Sequence, residues 1–329
     1  MAKPNDKGRP AVNGFLNFNK PPGMTSMDGL RNIKRITGQR QKVGHAGTMD
    51  PLARGVLPIC FGQATRLMDH VLDGVKRYQV EIELGATTAT YDAEGEVVRT
   101  GDPGAITPED VQAALPSFIG VIEQTPPMYS AIKVNGQRLY KLARAGIEVE
   151  RKSRTVEIYD IQLVRFARPR VVLKVECGRG VYIRSLAHDL GEVLGCGGYV
   201  TDLVRQYSGG FSIDQSVTLE QLEAAPLSEP GGWQHYLHPV DWALRDLKSV
   251  TISLHAEQFL RHGQSVTLGR PDPEAGYLEQ FRAYTAQGTF LALVRYDRPA
   301  NLWRPVKVFQ IDQPSPYAPS PARASSSPT

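Results

Sequence analysis

Cysteine is scarce in this chain: Cys60, Cys177 and Cys196 are the only three in 329 residues, and none forms a C-x-x-C pair. An odd, scattered set argues against a disulfide scaffold or a zinc ribbon, and it fits a reducing cytoplasm. No run approaches the roughly 18 consecutive apolar residues of a membrane span, so no membrane role is expected. The opening Met1–Asn13 is basic without an apolar core, which reads against a secretory signal. Two nucleotide signatures are missing, the G-x-x-x-x-G-K-[ST] phosphate loop and G-x-G-x-x-G after a strand. So is the D-x-D of an aspartyl-phosphate mechanism. Metal ligands at usable spacing are lacking too. His188 and Asp189 are helix neighbours that face different directions, and His255 and His262 have no acidic or thiol partner. Neither cofactor nor metal is expected.

The formal net charge is +4, but the charge is segregated. Residues 1–80 hold 13 basic and 5 acidic groups, and residues 81–120 hold 1 and 8. Residues 121–210 then hold 14 and 9, and residues 211–329 hold 10 and 12. Two basic blocks around an acidic one suit a polyanion held from two sides of a cleft, although solvated faces produce the same count.

Strands and helices alternate without the regular repeat of a doubly wound sheet, which predicts a mixed α+β fold with helices inserted between hairpins. Gly14–Phe18 reads as a strand ending at the Lys20-Pro21-Pro22-Gly23 turn. Ser26 is placed to cap a helix carrying Leu30, Ile33 and Ile36, closed by Gly38. A buried strand is expected over Val56–Phe61, a helix over Ala64–Leu72, and a strand with period two from Tyr78 to Leu84. Thr107-Pro108-Glu109-Asp110 opens another helix, and Asn135-Gly136 marks a hairpin. Val156–Val164 and Val171–Cys177 should pair, with a helix over Ser185–Leu194. From residue 249 the pattern restarts as a small β-rich module. Ser253 caps a helix through Leu260, and strands are expected at Tyr277–Tyr284, Phe290–Tyr296 and Val306–Ile311. The Pro- and Ser-rich stretch from Gln313 to Thr329 is expected to be a disordered tail, and Met1–Asn13 a disordered basic arm.

Three segments carry candidate chemistry. Val43–Gly62 contains Asp50 before Pro51, by default a pattern of helix caps and turns; a carboxylate accepting backbone N–H bonds is also held ionised, as a nucleophile must be. His45 in the same stretch suits either a loop histidine or a catalyst. Gly178–Ser185 could aim Tyr182 and Arg184 into a cleft, or simply join a strand to a helix. Lys76-Arg77-Tyr78 suits base stacking beside phosphate contacts, or the inward start of a strand.

In order along the chain stand N-K-P-P-G-M-T-S (Asn19–Ser26), G-H-A-G-T-M-D-P-L-A-R-G-V-L (Gly44–Leu57), K-R-Y (Lys76–Tyr78), P-P-M-Y-S-A-I-K-V-N-G (Pro126–Gly136) and G-V-Y-I-R-S-L-A-H-D-L-G (Gly180–Gly191). Over residues 14–215 the chain resembles the TruB family of tRNA pseudouridine synthases. The resemblance implies the pseudouridine synthase fold, a mainly antiparallel sheet over residues 14–248. It also implies isomerisation of uridine 55 in the T-loop of tRNA without cofactor. The glycosidic bond breaks, the base rotates, and ribose C1′ rejoins uracil at C5. Asp50 matches the family's nucleophilic aspartate, Tyr78 the tyrosine that stacks on the target uracil, and Arg184 the arginine paired with the carboxylate. Tyr182 matches a tyrosine lining the pocket, and His45 a histidine lying where the base leaves its stack. Lys20 and Leu203 match positions near the site floor and the bound base. Residues 249–312, with Arg261-His262-Gly263-Gln264 and Arg304–Phe309, resemble a PUA-like RNA-binding domain.

Several positions depart from the family pattern: Met27 before Asp28, Ala46 and Met49 for Thr and Leu, Arg54 for a small polar residue, and Val204 before Arg205 where two arginines are common. The partner implied is tRNA, with no obligate protein partner and a monomeric state expected. A tRNA-binding or tRNA-folding protein with incidental catalysis is the alternative that the basic blocks alone would satisfy.

Overall fold

Alternation builds the central sheet. Along Gly14–Lys20, Leu16 and Phe18 enter one apolar core and Phe15 another, as period-two side chains must. The computed structural model describes residues 12–319 except 131, 135, 148, 226–231 and 269–275. Among the described residues ten strands form one sheet. Its path runs Leu237–His238, Gly14–Lys20, Arg54–Phe61, Gly198–Ser208, Lys76–Leu84, Arg170–Cys177, Arg154–Ala167 and Gly120–Gln124. Val43–His45 and Phe211–Ser212 pair onto it from the side. The pairings are antiparallel except that of Arg54–Phe61 with Gly198–Ser208. This is the mixed, mainly antiparallel α+β architecture expected.

The helix Ser26–Thr37 buries Leu30, Ile33 and Ile36 and ends at Gly38, whose φ of 69° is the left-handed cap position that glycine fills without strain. Its N-cap is Thr25, not Ser26: Asp28 N donates to Thr25 Oγ1 at 3.1 Å. Ser26 is buried, and its hydroxyl donates to Met49 O at 3.1 Å and accepts from Met49 N at 2.8 Å. This pair of bonds clamps the helix to the loop before Asp50. The helix expected over Ala64–Leu72 divides into a 3₁₀ turn, Gly62–Leu67, and an α-turn, Met68–Asp73. Thr65 Oγ1 donates to Gly62 O at 2.7 Å and tightens the first part. Three further signals are borne out: the Thr107 cap with Pro108, the strand pair Arg154–Ala167 with Arg170–Cys177, and the helix Ile183–Val193. The two strands flanking Asn135-Gly136, Lys133–Val134 and Gln137–Arg138, also pair, Asn135 itself lying outside the described residues.

The C-terminal module is a four-stranded sheet ordered Ser249–Thr251, Gln280–Tyr284, Phe290–Asp297 and Leu302–Val308. Ser253 caps the helix Leu254–Arg261 through Ala256 N at 3.2 Å. Two strand expectations need correction. The strand before Tyr284 starts at Gln280, because Leu278 turns the chain at φ 59°. The last strand starts at Leu302, where Trp303 packs edge-on against Phe281 with ring centroids 5.0 Å apart. The tail expectation also needs correction up to residue 319. Ser315 N donates to Gly288 O at 2.9 Å, and its hydroxyl donates to the buried Asp241 carboxylate at 2.5 Å. Residues 320–329 and 1–11 lie outside the described residues, so the tail beyond 319 and most of the arm are not described.

One core fills the space between the sheet and the helices Ser26–Thr37 and Ile183–Val193. A second lies on the other side of the Gly14–Lys20 strand, where Phe15, Val56, Cys60 and Phe211 meet Tyr284, Phe290, Leu293 and Phe309 of the module. The module is therefore packed onto the larger sheet, besides having a core of its own around Ile252, Leu260 and Trp303.

Candidate active site

Four strands bring distant residues onto one rung of the sheet. Lys20 pairs with Gly55, Gly55 with Arg205, and Arg205 with Tyr78. Gly55 has φ 106°, and a Cβ there would stand 2.4 Å from Arg205 O, so the rung closes only around a glycine. The loop between Val43–His45 and Arg54–Phe61 carries Asp50 and is tied to this rung, where Arg205 Nη2 donates to Gly47 O and Lys20 Nζ to Pro51 O. Pro51 bends it: Gly23 N donates to Pro51 O at 2.9 Å and Ala53 N to Asp50 O at 3.2 Å.

Asp50 faces Arg184, the second residue of the helix Ile183–Val193. Arg184 Nε donates to Asp50 Oδ2 at 2.9 Å and Nη2 to Asp50 Oδ1 at 2.7 Å, a bidentate pair. The rest of the guanidinium is also engaged: Nη1 donates to Thr90 O at 2.9 Å and Nη2 to Tyr129 O at 2.8 Å, and Nη1 stands 3.2 Å from Asp92 Oδ2. The side chains of Arg184 and Asp92 are 4% and 3% exposed and that of Asp50 is 32% exposed, so the carboxylate is the open end of a buried charge chain. Burial pushes the Asp50 carboxyl above its ordinary range; Arg184 pulls it back, and Asp92 adds to the rise.

Lys20 does not hydrogen-bond the carboxylate. Fully buried, its ammonium donates to Met24 O at 2.6 Å, Pro21 O at 2.9 Å and Pro51 O at 3.3 Å, bracing the turn beneath Asp50. Burial lowers it to about 8, while Asp50 opposes that shift. Tyr78 is partly exposed on its strand; burial pushes its hydroxyl up, and the Arg205 charge, with a hydrogen bond from that side chain, pulls it down. Tyr182 precedes the Arg184 helix. Its N donates to Gln124 Oε1 at 2.7 Å and its O accepts from Gln124 Nε2 at 3.0 Å, which fixes the helix start to the edge strand. Burial also raises the Tyr182 hydroxyl, and Asp50 adds to that rise. His45, opposite Ile59, is held below its usual range by burial, with the Arg205 charge adding to the effect. Leu203 is buried in the main core opposite Val80.

Asp50, Arg184, Tyr78, Tyr182 and Lys20 thus act on one another, while Leu203 and His45 flank them on neighbouring strands. Arg54 forms an ion pair with Asp202, both more than a third exposed, a surface contact of small net worth. Two participants were not among the candidate site residues, although the sequence placed Arg205 in a family arginine position. Arg205 is 2% exposed and donates through Nε to Val56 O at 2.7 Å and through Nη2 to Gly47 O at 3.1 Å. An arginine within the strand-like Y-V-T-D-L-V-R was the available signal. Asp92 sits in an acidic stretch with nothing local to mark it. Among the described residues no group of three or more His, Cys, Asp or Glu is placed to hold a metal ion. A fixed, solvent-reachable carboxylate whose charge is felt at two tyrosine hydroxyls is an arrangement that permits nucleophilic attack.

Residues 34–183 match the family model for the TruB family pseudouridylate synthase N-terminal domain, and residues 184–245 that for the tRNA pseudouridylate synthase B C-terminal domain. The second match ends before the four-stranded module begins. The chain is 43% identical over 298 residues to tRNA pseudouridine synthase B of Dehalococcoides mccartyi (strain 195), covering 91% of this chain and 97% of that one. It is 45% identical over 285 residues to the protein of that name from Thiobacillus denitrificans, covering 87% and 92%. Among solved structures, a Cbf5-Nop10-Gar1 complex contains a chain that superposes with a TM-score of 0.70 at 25% identity, covering 97% of this chain and 94% of that one. With the motif resemblance now matched by fold, by two family models and by relatives along nearly the whole length, the chain belongs to the TruB family of pseudouridylate synthases.

Proposed function

We propose that this protein isomerises uridine 55 in the T-loop of tRNA to pseudouridine, with Asp50 as the nucleophile. The observation that carries the reading is the bidentate Arg184–Asp50 pair, buried at the arginine and open at the carboxylate. The reaction needs no net addition. The N1–C1′ bond breaks, the base rotates, C1′ bonds to C5, and the hydrogen displaced from C5 leaves as N1 gains one. Reaching the base means extruding it from a folded loop at a cost of a few kcal/mol. Stacking on Tyr78 returns about 1–3 kcal/mol. Arg184 aims the carboxylate, Lys20 braces its loop, Tyr182 lines the same pocket, and His45 and Leu203 flank the extruded nucleotide. The reading extends to a monomeric enzyme working in the cytoplasm; no helix among the described residues is long and apolar enough to cross a membrane. The PUA-like reading of residues 249–312 adds an RNA contact surface packed against the catalytic sheet. The relatives' common name, tRNA pseudouridine synthase B, does not favour the alternative of a tRNA-binding or tRNA-folding protein with incidental catalysis.

Incubating the protein with an unmodified tRNA transcript and mapping pseudouridine by chemical derivatisation and primer extension should give a single stop reporting position 55. A stop elsewhere, or none, overturns the assignment. The pH dependence has a definite sign. Attack requires the carboxylate, and burial raises the Asp50 pKa above its ordinary 3.8, so the proton arrives earlier as the pH falls. The acid limb of the single-turnover rate should therefore lie above the ordinary aspartate range, with circular dichroism confirming the fold there. A limb at ordinary aspartate values would contradict this.

A further inference from the structure

Tyr91 is a bulky residue with φ 63°, a conformation that L side chains rarely adopt. Its two neighbours are the groups that Arg184 grips: Thr90 through its carbonyl at 2.9 Å, and Asp92 through its carboxylate at 3.2 Å. Both face Arg184 because the backbone reverses at Tyr91. An ordinary right-handed or extended φ there would swing one of them away.

Against the Tyr91 ring lies the imidazole of His188, with centroids 3.9 Å apart and planes within 5°. His188 stands four residues after Arg184, one turn further along the helix Ile183–Val193, so both side chains reach the same turn from one face. Burial keeps His188 below its usual pKa; Glu192 opposes this, and Arg99 and Arg151 add to it. Its Nδ1 is buried with no hydrogen-bond partner among the described residues. The ring contributes its flat face rather than its polar edge. The backbone bonds at Tyr91, its N to Thr88 O at 3.2 Å and Val200 N to its O at 3.1 Å, locate the turn but leave the side chain to be held by the stack.

We propose that His188 is a positioning residue. By stacking on Tyr91 it stabilises the left-handed turn that presents Thr90 and Asp92 to Arg184, and through Arg184 it fixes the aim of Asp50. The inference rests on the catalytic reading of Asp50 and Arg184 given above. Neither ring touches the reacting atoms, so the effect should fall on the rate of the chemical step and not on tRNA affinity.

Single-turnover rate and tRNA Kd measured for four variants decide the matter. His188→Ala should slow pseudouridine formation about tenfold with Kd within about twofold, since a small misalignment of reacting groups is costly. His188→Phe keeps a flat ring and should stay within about threefold of wild type. Glycine needs no support at positive φ, so Tyr91→Gly should stay near the wild-type rate, and His188→Ala added to it should cost nothing further. This last pair remains informative even if His188→Ala alone folds poorly. A wild-type rate for His188→Ala, an equal loss in both backgrounds, or a change confined to Kd overturns the proposal. An inactive wild-type protein would instead overturn the functional reading, so the two failures are distinct.

Discussion

Asp50→Asn should abolish pseudouridine formation, by about 10⁴-fold or more, while tRNA binding shifts by no more than a few-fold. The amide has nearly the shape of the carboxylate and still offers Arg184 one acceptor. What it lacks is the electron pair of an anionic oxygen. Arg184 keeps Thr90 O, Tyr129 O and Asp92, so the chain of buried charges around it survives. The assay follows from the chemistry: joining C1′ to C5 releases the hydrogen at C5, so tritium placed there is lost to water once per turnover. Substantial tritium release from the Asp50→Asn variant would remove Asp50 from the nucleophile role, and a matching loss of binding would make it a recognition residue.

Arg184→Lys is the second large effect expected, a rate loss of about 10²–10³-fold with weakened folding. Lysine preserves the charge but is a single point, whereas the guanidinium bonds both Asp50 oxygens, two carbonyls and Asp92 at once. Asp92, 3% exposed, would be left with less compensation, and an undercompensated buried carboxylate is destabilising. Thermal unfolding should therefore show a lower Tm alongside the slower tritium release. A variant at the wild-type rate would show that charge alone, not the fork, serves Asp50.

Legibility from sequence followed the reach of the interactions. Local signals were readable: the Thr107 capping box, the Gly38 cap and the alternation of Lys76–Leu84 each depend on residues within one turn or one strand. Asp50, Tyr78 and Arg184 were singled out because they lie in motifs that resemble the TruB family's; the residues alone left a structural reading open for each. Asp92 and Arg205 were not singled out as site residues, since their importance arises only where strands distant in sequence meet. Ser249–Thr251 was missed for a similar reason: three residues have no periodicity, and their partner strand lies some thirty positions later. Ser26 looked like a cap because serine usually is one. Its hydroxyl is used instead on a loop more than twenty residues away. The tail's composition suggested disorder, yet Asp241 and Gly288 offered Ser315 partners that composition does not register.

The rung Lys20–Gly55–Arg205–Tyr78 also bears on how the protein is made. A nascent chain leaving the ribosome can pair its first hairpins early, but the strand that supplies Arg205 emerges only after some two hundred residues. It then inserts between Arg54–Phe61 and Lys76–Leu84, which until that moment cannot be neighbours in the finished order. Pairings so distant in sequence form slowly and cooperatively. A shift of one residue during insertion would turn Arg205 to the opposite face and leave Tyr78 without its cation. The rung is thus completed only when this strand arrives, and a chain truncated before it lacks the cation beside Tyr78, however well its earlier segments have folded.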